Sequence, residues 1–164
     1  MLTSALEAEI LKLQGSYIKS LDSKNMPKWL ECFSNQDNAS YQCISVENCE
    51  GNMELSLMLD DNHNRLKDRV IYVDEIWKGT FQDYRTRHFT QCLDITPSDI
   101  GENYYEMLTN FHILYTPDDT RSTEVLVSGV YEDVVDTNPS SPVFLHKRAI
   151  LDTTVLPRYL VYPV

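Results

Sequence analysis

Two histidines, one aspartate and two tyrosines are the side chains of this sequence best suited to moving a proton. They are His88, His112, Asp22, Tyr17 and Tyr41. A His pair oriented by a carboxylate and flanked by phenols can act as general acid and base on a substrate held in a cavity. His88 and His112 fall on consecutive predicted strands and would face each other if the register allowed it. Both histidines also read as hydrogen-bonded members of a core or a subunit interface. The charged side chains elsewhere favour structural roles: Arg65, Lys67, Asp68 and Arg69 on one predicted helix read as a solvated face or as ion pairs. Arg148 and Asp152 stand i and i+4 on one strand and, with Lys147, are expected to form ion pairs.

Other chemistries lack their signatures. The chain has no Gly-rich phosphate loop, no GxSxG elbow and no HExxH. The four cysteines, Cys32, Cys43, Cys49 and Cys92, show no CxxC spacing, and with His63, His88, His112 and His146 they offer no local metal-ligand pattern. They are expected to be reduced thiols packed as small hydrophobes.

The elements that must position these residues come in two blocks. Four long strands are predicted late in the chain, over Arg85–Thr96, Asn103–Thr116, Ser122–Asp136 and Val143–Val155. Clusters of Pro, Gly, Asp and Asn divide them at 97–101, 116–120 and 137–142, where proline fixes φ and glycine tolerates positive φ. Consecutive strands joined this way pair as an antiparallel meander, and strands this long must twist and curl. The concave face needs a filling, and the first block supplies it. Ser4 and Glu7 form a capping box ahead of the stripe Leu6, Ile10, Leu13, Tyr17 and Leu21, which predicts a helix ending near Asp22. A short helix over Pro27–Phe33 presents Trp29, Leu30 and Phe33. A strand over Ala39–Val46, a loop at Glu47–Asn52 and an ambiguous run at Met53–Leu59 follow. A third helix, capped by Asp60 or Asp61, runs to about Ile76 on the stripe Leu66, Val70, Val73 and Trp77, with Gly79 as its stop. Helices first and a meander last predict an α+β fold in a single domain, residues 1–164, with three helices packed on one long curved antiparallel sheet.

Length and charge narrow the function classes. A chain of 164 residues can bury a sizeable core, and its net charge of −11 repels phosphate backbones and anionic lipids. Nucleic acid and membrane are therefore not expected partners. No apolar run approaches a bilayer span and the first residues do not resemble a signal peptide, so a cytoplasmic protein is expected.

The sheet itself hints at a protein partner. The strand at 103–116 carries Tyr105, Met107, Phe111, Ile113 and Tyr115 on one face and Tyr104, Leu108 and Leu114 on the other. The last strand carries Val143, Leu145, Ala149 and Leu151 on one face and Phe144 and Ile150 on the other. Helices can cover only one face, so the second is expected to be buried by another subunit. The apolar tail, with Leu156, Tyr159, Leu160, Val161, Tyr162 and Val164, is expected to be ordered and to dock.

Taken together these features resemble a known family. Tyr17 through Leu21-Asp22 ahead of Trp29 and Phe33, Tyr41, Leu66-Lys67-Asp68-Arg69-Val70, Arg87-His88, Asn110-Phe111, Gly129-Val130-Tyr131-Glu132-Asp133, and Lys147-Arg148 before Asp152 resemble the small (β) subunit of Rieske-type aromatic-ring-hydroxylating oxygenases. Glu47-Asn48, Leu57-Met58 and the ending through Pro157 and Tyr162-Pro163-Val164 look most like salicylate-hydroxylating members. The resemblance implies a cone-shaped fold of the nuclear-transport-factor-2-like (cystatin-like) type. It implies a large (α) subunit as partner in a three-plus-three hetero-hexamer, with self-association of the small subunits. The Rieske [2Fe–2S] cluster and the mononuclear Fe(II) would sit on that large subunit, fed from NAD(P)H, and no cofactor on this chain. It implies a structural, non-catalytic role beside hydroxylation of an aromatic acid of salicylate or benzoate type. Arg69, Arg87, His88, Tyr131, Asp133, Arg148, Asp152, Leu156, Tyr159 and Tyr162 are the structural or interface candidates. The competing readings are a stand-alone dehydratase or isomerase using His88 and His112 with Asp22, which resembles the dehydratase branch of the same superfamily, and a small-molecule binding module with an apolar cavity.

Overall fold

In a computed structural model, which describes residues 2–164, four helices and six strands follow one another along the chain. They are α1 (Ser4–Asp22), α2 (Met26–Leu30), β1 (Ser40–Ser45), α3 (Val46–Glu50), β2 (Ser56–Asp60), α4 (His63–Ile71), a π-helical turn at Tyr72–Ile76, β3 (Tyr84–Pro97), β4 (Tyr104–Pro117), β5 (Glu124–Asp136) and β6 (Val143–Leu151). The class is α+β, with helices packed on one curved sheet.

The meander expected from the breaker clusters forms. The sheet order is β2-β1-β6-β5-β4-β3, with β3 through β6 paired in sequence and antiparallel. The first two strands extend it past β6: β1 runs parallel to β6, pairing Ser40 with His146 through Ser45 with Leu151, and β2 closes that edge antiparallel to β1. This long-range parallel pairing has no local sequence signal.

Several boundaries differ from expectation for identifiable reasons. Thr3 caps α1, its hydroxyl accepting from the Leu6 amide at 3.2 Å, and Ser4 is already helical. Both residues are cap formers, and the structure chooses one position earlier. Glu47–Asn52 is partly a short helix because Ser45 accepts from the Asn48 amide at 3.3 Å. The alternating run near Leu57 is a strand. Asn62, not Asp60 or Asp61, caps α4, because Asp60 is held by Arg69 instead. The last strand ends at Leu151 rather than Val155.

The core lies between α1, α2, α4 and the concave face. Ile10, Leu13, Tyr17 and Leu21 point inward from α1 and meet Trp29, Phe33, Tyr41, Leu66, Phe111, Tyr131 and Phe144. Phe144 is fully buried, which corrects the face assigned to it by alternation. Val135 pairs with Phe144 and Val134 with His146, so Leu145 is an extra residue in a β-bulge, and alternation reverses there.

Candidate functional site

The proton-transfer residues are sorted by register. His88 pairs with Ile113 and Phe89 pairs with His112. Directly opposed residues share a face, so His88 points into the core while His112 points outward and stacks on Phe89, centroids 4.9 Å apart. The His88–His112 pair expected of a dehydratase-like site does not form; a one-residue offset in register separates them.

His88 keeps a carboxylate partner. Asp22, the last residue of α1, receives His88 Nδ1 at 2.6 Å, the His88 amide at 3.1 Å and the Thr86 hydroxyl at 2.8 Å. Burial acts to raise the Asp22 pKa, but the His88 hydrogen bond and charge, with the His88 amide and the Thr86 hydroxyl, hold it below the ordinary value. His88 Nε2 is buried without a partner.

The space beside this dyad is filled by the tail. Val161, Pro163 and Val164 are buried, and the Val164 main-chain oxygen accepts from Tyr17 Oη at 2.7 Å and Tyr41 Oη at 3.2 Å. What remains is a cavity of about 10 Å³ lined by Leu21, Thr86, His88, Ile113, Leu126 and Val164, among others. Tyr17 and Tyr41 thus lie in the core, where their hydroxyls serve the tail rather than line a cavity with His88. Arg158 clamps the segment: its guanidinium lies 3.9 Å over the Tyr84 ring and donates to the Gln82 carbonyl at 2.8 Å.

A second polar group is entirely internal. Lys147 and Asp133 have side chains 0% exposed and meet at 2.8 Å, with Gln14 accepting from Lys147 at 3.0 Å. The rings of Tyr131, Phe144 and Tyr17 stand 3.9, 4.2 and 4.3 Å from the ammonium. Burial pushes Asp133 up to about 6 and Lys147 down, and their attraction opposes both shifts without cancelling them. No local sequence pattern joins Lys147 to Asp133; the β5–β6 register sets them opposite each other.

The remaining candidates scatter. Arg69 forks onto Asp60 at 2.9 and 3.0 Å, so it is an ion-pair residue rather than a solvated one. Arg87 is exposed on β3. Tyr131, 0% exposed and stacked on Phe111 at 4.1 Å, and Asp133 are core residues, and His88 with them lies inside the chain rather than on a surface. The Arg148–Asp152 pair does not form. Arg148 reaches Gln42 at 3.0 Å, Glu132 at 3.1 Å and Cys49 Sγ at 3.3 Å. Asp152 lies past the end of β6 and accepts from Ser128 Oγ at 2.7 Å. Leu156 and Tyr162 are half-buried, and Tyr159 is exposed, tilted against Trp77 with centroids 6.2 Å apart. The outer face of the sheet bears two shallow clefts, of about 550 Å³ over Glu106, Leu108, Glu132 and Arg148 and about 490 Å³ over Phe89, His112, Ser128 and Asp152.

Among the described residues, no three His, Cys, Asp or Glu side chains stand together as a metal ion would require, and none of the helices there is long and apolar enough to cross a membrane. A Rieske cluster or mononuclear iron therefore finds no fitting donor set among them.

Comparison with known proteins accords with this arrangement. The small subunit of anthranilate 1,2-dioxygenase from Burkholderia cepacia is 28% identical over 156 residues, 95% of this chain and 92% of that one. The subunit beta 2 of the terminal oxygenase component of terephthalate 1,2-dioxygenase from Comamonas sp. is 25% identical over 158 residues, 96% and 98% of the two chains. In three dimensions the beta subunit of benzoate 1,2-dioxygenase from Burkholderia mallei superposes with a TM-score of 0.70 at 21% identity, covering 98% of this chain and all of that one, so the cone-shaped nuclear-transport-factor-2-like fold is shared. The sequence profile described as ring hydroxylating beta subunit matches residues 18–158, and the chain belongs to that family.

Proposed function

We propose that this chain is the structural, non-catalytic small subunit of a cytoplasmic aromatic-ring-hydroxylating oxygenase, a single domain that holds a large subunit in place while the chemistry proceeds there. The observation that carries the reading is the closed cone. The cavity beside His88 measures about 10 Å³ and His112 lies on the opposite face, which argues against a dehydratase or isomerase site built on His88, His112 and Asp22. The partner is a large subunit bearing a Rieske [2Fe–2S] cluster and mononuclear Fe(II), supplied with electrons from NAD(P)H, in a three-plus-three assembly where small subunits also touch one another. The substrate class is an aromatic carboxylic acid, of salicylate or benzoate type. Support comes from the relatives' names, since anthranilate, terephthalate and benzoate are all aromatic carboxylates.

The apolar side chains on the outer face support the partner half of the reading. Phe89, Leu108 and Val125 are exposed there, and a sheet face with such residues gains by being covered. Of the candidates, Arg87, Asp152 and Tyr159 are exposed and Arg148 is half-exposed, which supports assigning the contact with a neighbour to them. Co-expression with a large Rieske subunit, gel filtration and a hydroxylation assay on aromatic acids test the proposal. A mixed complex is expected that hydroxylates, in which His88→Ala retains turnover per assembled complex. Failure to associate, or turnover of an aromatic compound by the small subunit alone, overturns it.

A further inference from the structure

The outer face of the sheet carries opposite charge at its two ends. Along β3 the outward positions run Arg85, Arg87, Phe89, Gln91 and, past the bulge at Leu93, Asp94 and Thr96, all of them exposed. Strand pairing extends these positions into rows across the sheet. Arg87 is level with Leu114 and Val125, and Asp94 is level with Leu108, Glu132 and Arg148; Glu106 lies in the next row, opposite Thr96. Among the described residues, Arg85, Arg87, Asp94 and Glu106 form no ion pair, whereas Arg148 is matched by Glu132 at 3.1 Å. Two arginines therefore stand without a carboxylate at one end of the face, and two carboxylates without a cation at the other. Between them lie the apolar side chains of Phe89, Leu108 and Leu114, the first two 50% and 38% exposed.

This order is its own complement when reversed. A two-fold axis lying between two copies, and across their strands, stacks β3 on β3 and β4 on β4 with the rows inverted. With the row of Phe89 over that of Gln91, Arg87 comes over Asp94, Leu114 over Leu108, and Arg85 over Thr96 beside Glu106. The cleft of about 550 Å³ at the acidic end is lined by Asp94, Glu106 and Glu132, and the two arginines of the other copy arrive there. Stacked sheets stand about 10 Å apart, a gap that an arginine and a carboxylate reaching from opposite sides can close. Stacking without the inversion would set arginine on arginine and carboxylate on carboxylate, so charge selects one orientation.

We infer that the outer sheet face of the isolated chain is a docking surface for a second copy of itself, with Arg87 of each copy on Asp94 of the other. The inference goes beyond the partner-subunit reading and does not rest on it. A large subunit that covered Phe89 and Leu108 would take the place of the second copy.

Sedimentation equilibrium of the isolated full chain tests this. A closed dimer is expected, weakened by high salt. Arg87→Glu and Asp94→Arg are each expected to raise its dissociation constant at least about tenfold. Both positions are exposed, so an unchanged thermal midpoint is expected to show that each variant folds. Mixing the two variants, or combining both changes in one chain, restores opposite charges at both contacts and is expected to restore the parental affinity. Leu108→Asp is also expected to weaken the dimer at least about tenfold. It lies on β4, so it separates face packing from edge-to-edge pairing of β3, which would also join Arg87 to Asp94. A chain that stays monomeric at about 100 μM, a trimer or larger ring, a dimer indifferent to Arg87→Glu or to Leu108→Asp, or no recovery on mixing each overturns the inference.

Discussion

Lys147 and Asp133 show what a buried charge does in this core. Three rings and a carboxylate surround one ammonium, and both partners are sealed from water. Such pairs are costly to desolvate, and breaking one is worse than replacing both. Lys147→Met alone is expected to cost about 3–5 kcal/mol in urea unfolding, and Lys147→Met with Asp133→Leu is expected to recover most of it. The pH dependence carries a definite sign. Asp133 is raised from 3.8 to about 6, so the folded state binds a proton that the unfolded chain releases between those values. This group's contribution to stability therefore falls as pH rises from 3.8 to about 6, and Asp133→Asn is expected to flatten that part of the profile. Asp22 has the opposite sign. Its carboxyl is held below 3.8, so its contribution is present above 3.8 and lost on further acidification, and Asp22→Asn is expected to remove that acid limb. Unfolding free energies measured across the acid range check both. His88→Ala removes the partner of Asp22 and is expected to cost about 1–3 kcal/mol in thermal or urea unfolding.

At the scale of elements, the sheet is set by two irregularities and one close approach. The bulge at Leu145 turns Phe144 inward, and the β3 bulge at Leu93 leaves that residue on the surface. Gly129 on β5 is where backbone meets backbone: a Cβ there would stand 2.1 Å from the Ile150 carbonyl oxygen and 3.0 Å from Phe111. A carbonyl in a sheet cannot rotate away without losing its ladder bond, so β5 and β6 must separate. Gly129→Ala is expected to destabilise by about 1–3 kcal/mol or more, read as a lower urea midpoint at unchanged slope. The glycine is thus a spacing residue, which the alternation of its neighbours Val127 and Tyr131 does not reveal.

At the scale of the molecule, the tail divides into a buried part and an exposed part. Val161 and Val164 complete the chain's own core, whereas Tyr159 and Val155 face outward. The two sets make separable contributions. Removal of residues 156–164 is expected to lower the thermal midpoint of the isolated chain as well as weaken assembly, because buried apolar side chains contribute about 1.5–3 kcal/mol each before ordering costs. Tyr159→Ser is expected to leave the isolated chain within about 0.5 kcal/mol of the parent while weakening association, measured by sedimentation with the large subunit. Equal effects of Tyr159→Ser on both would place that ring in an internal contact only.

The sequence alone determined the elements whose cause is local. The α1 stripe from Leu6 to Leu21 has helical spacing, and the breaker clusters at 97–101, 116–120 and 137–142 mark the meander turns. Those signals act over a few residues, so they are legible without a fold. Tertiary structure decided everything that depends on register or on residues distant in the chain. It placed His88 inside and His112 outside, sent β1 to lie parallel beside β6, and joined Lys147 to Asp133 rather than Arg148 to Asp152. It also turned the tail back onto Tyr17 and Tyr41, more than 120 residues away. The physical reason is the two-residue period of a strand: a single bulge or one step of register exchanges core for surface, and no local pattern encodes that step.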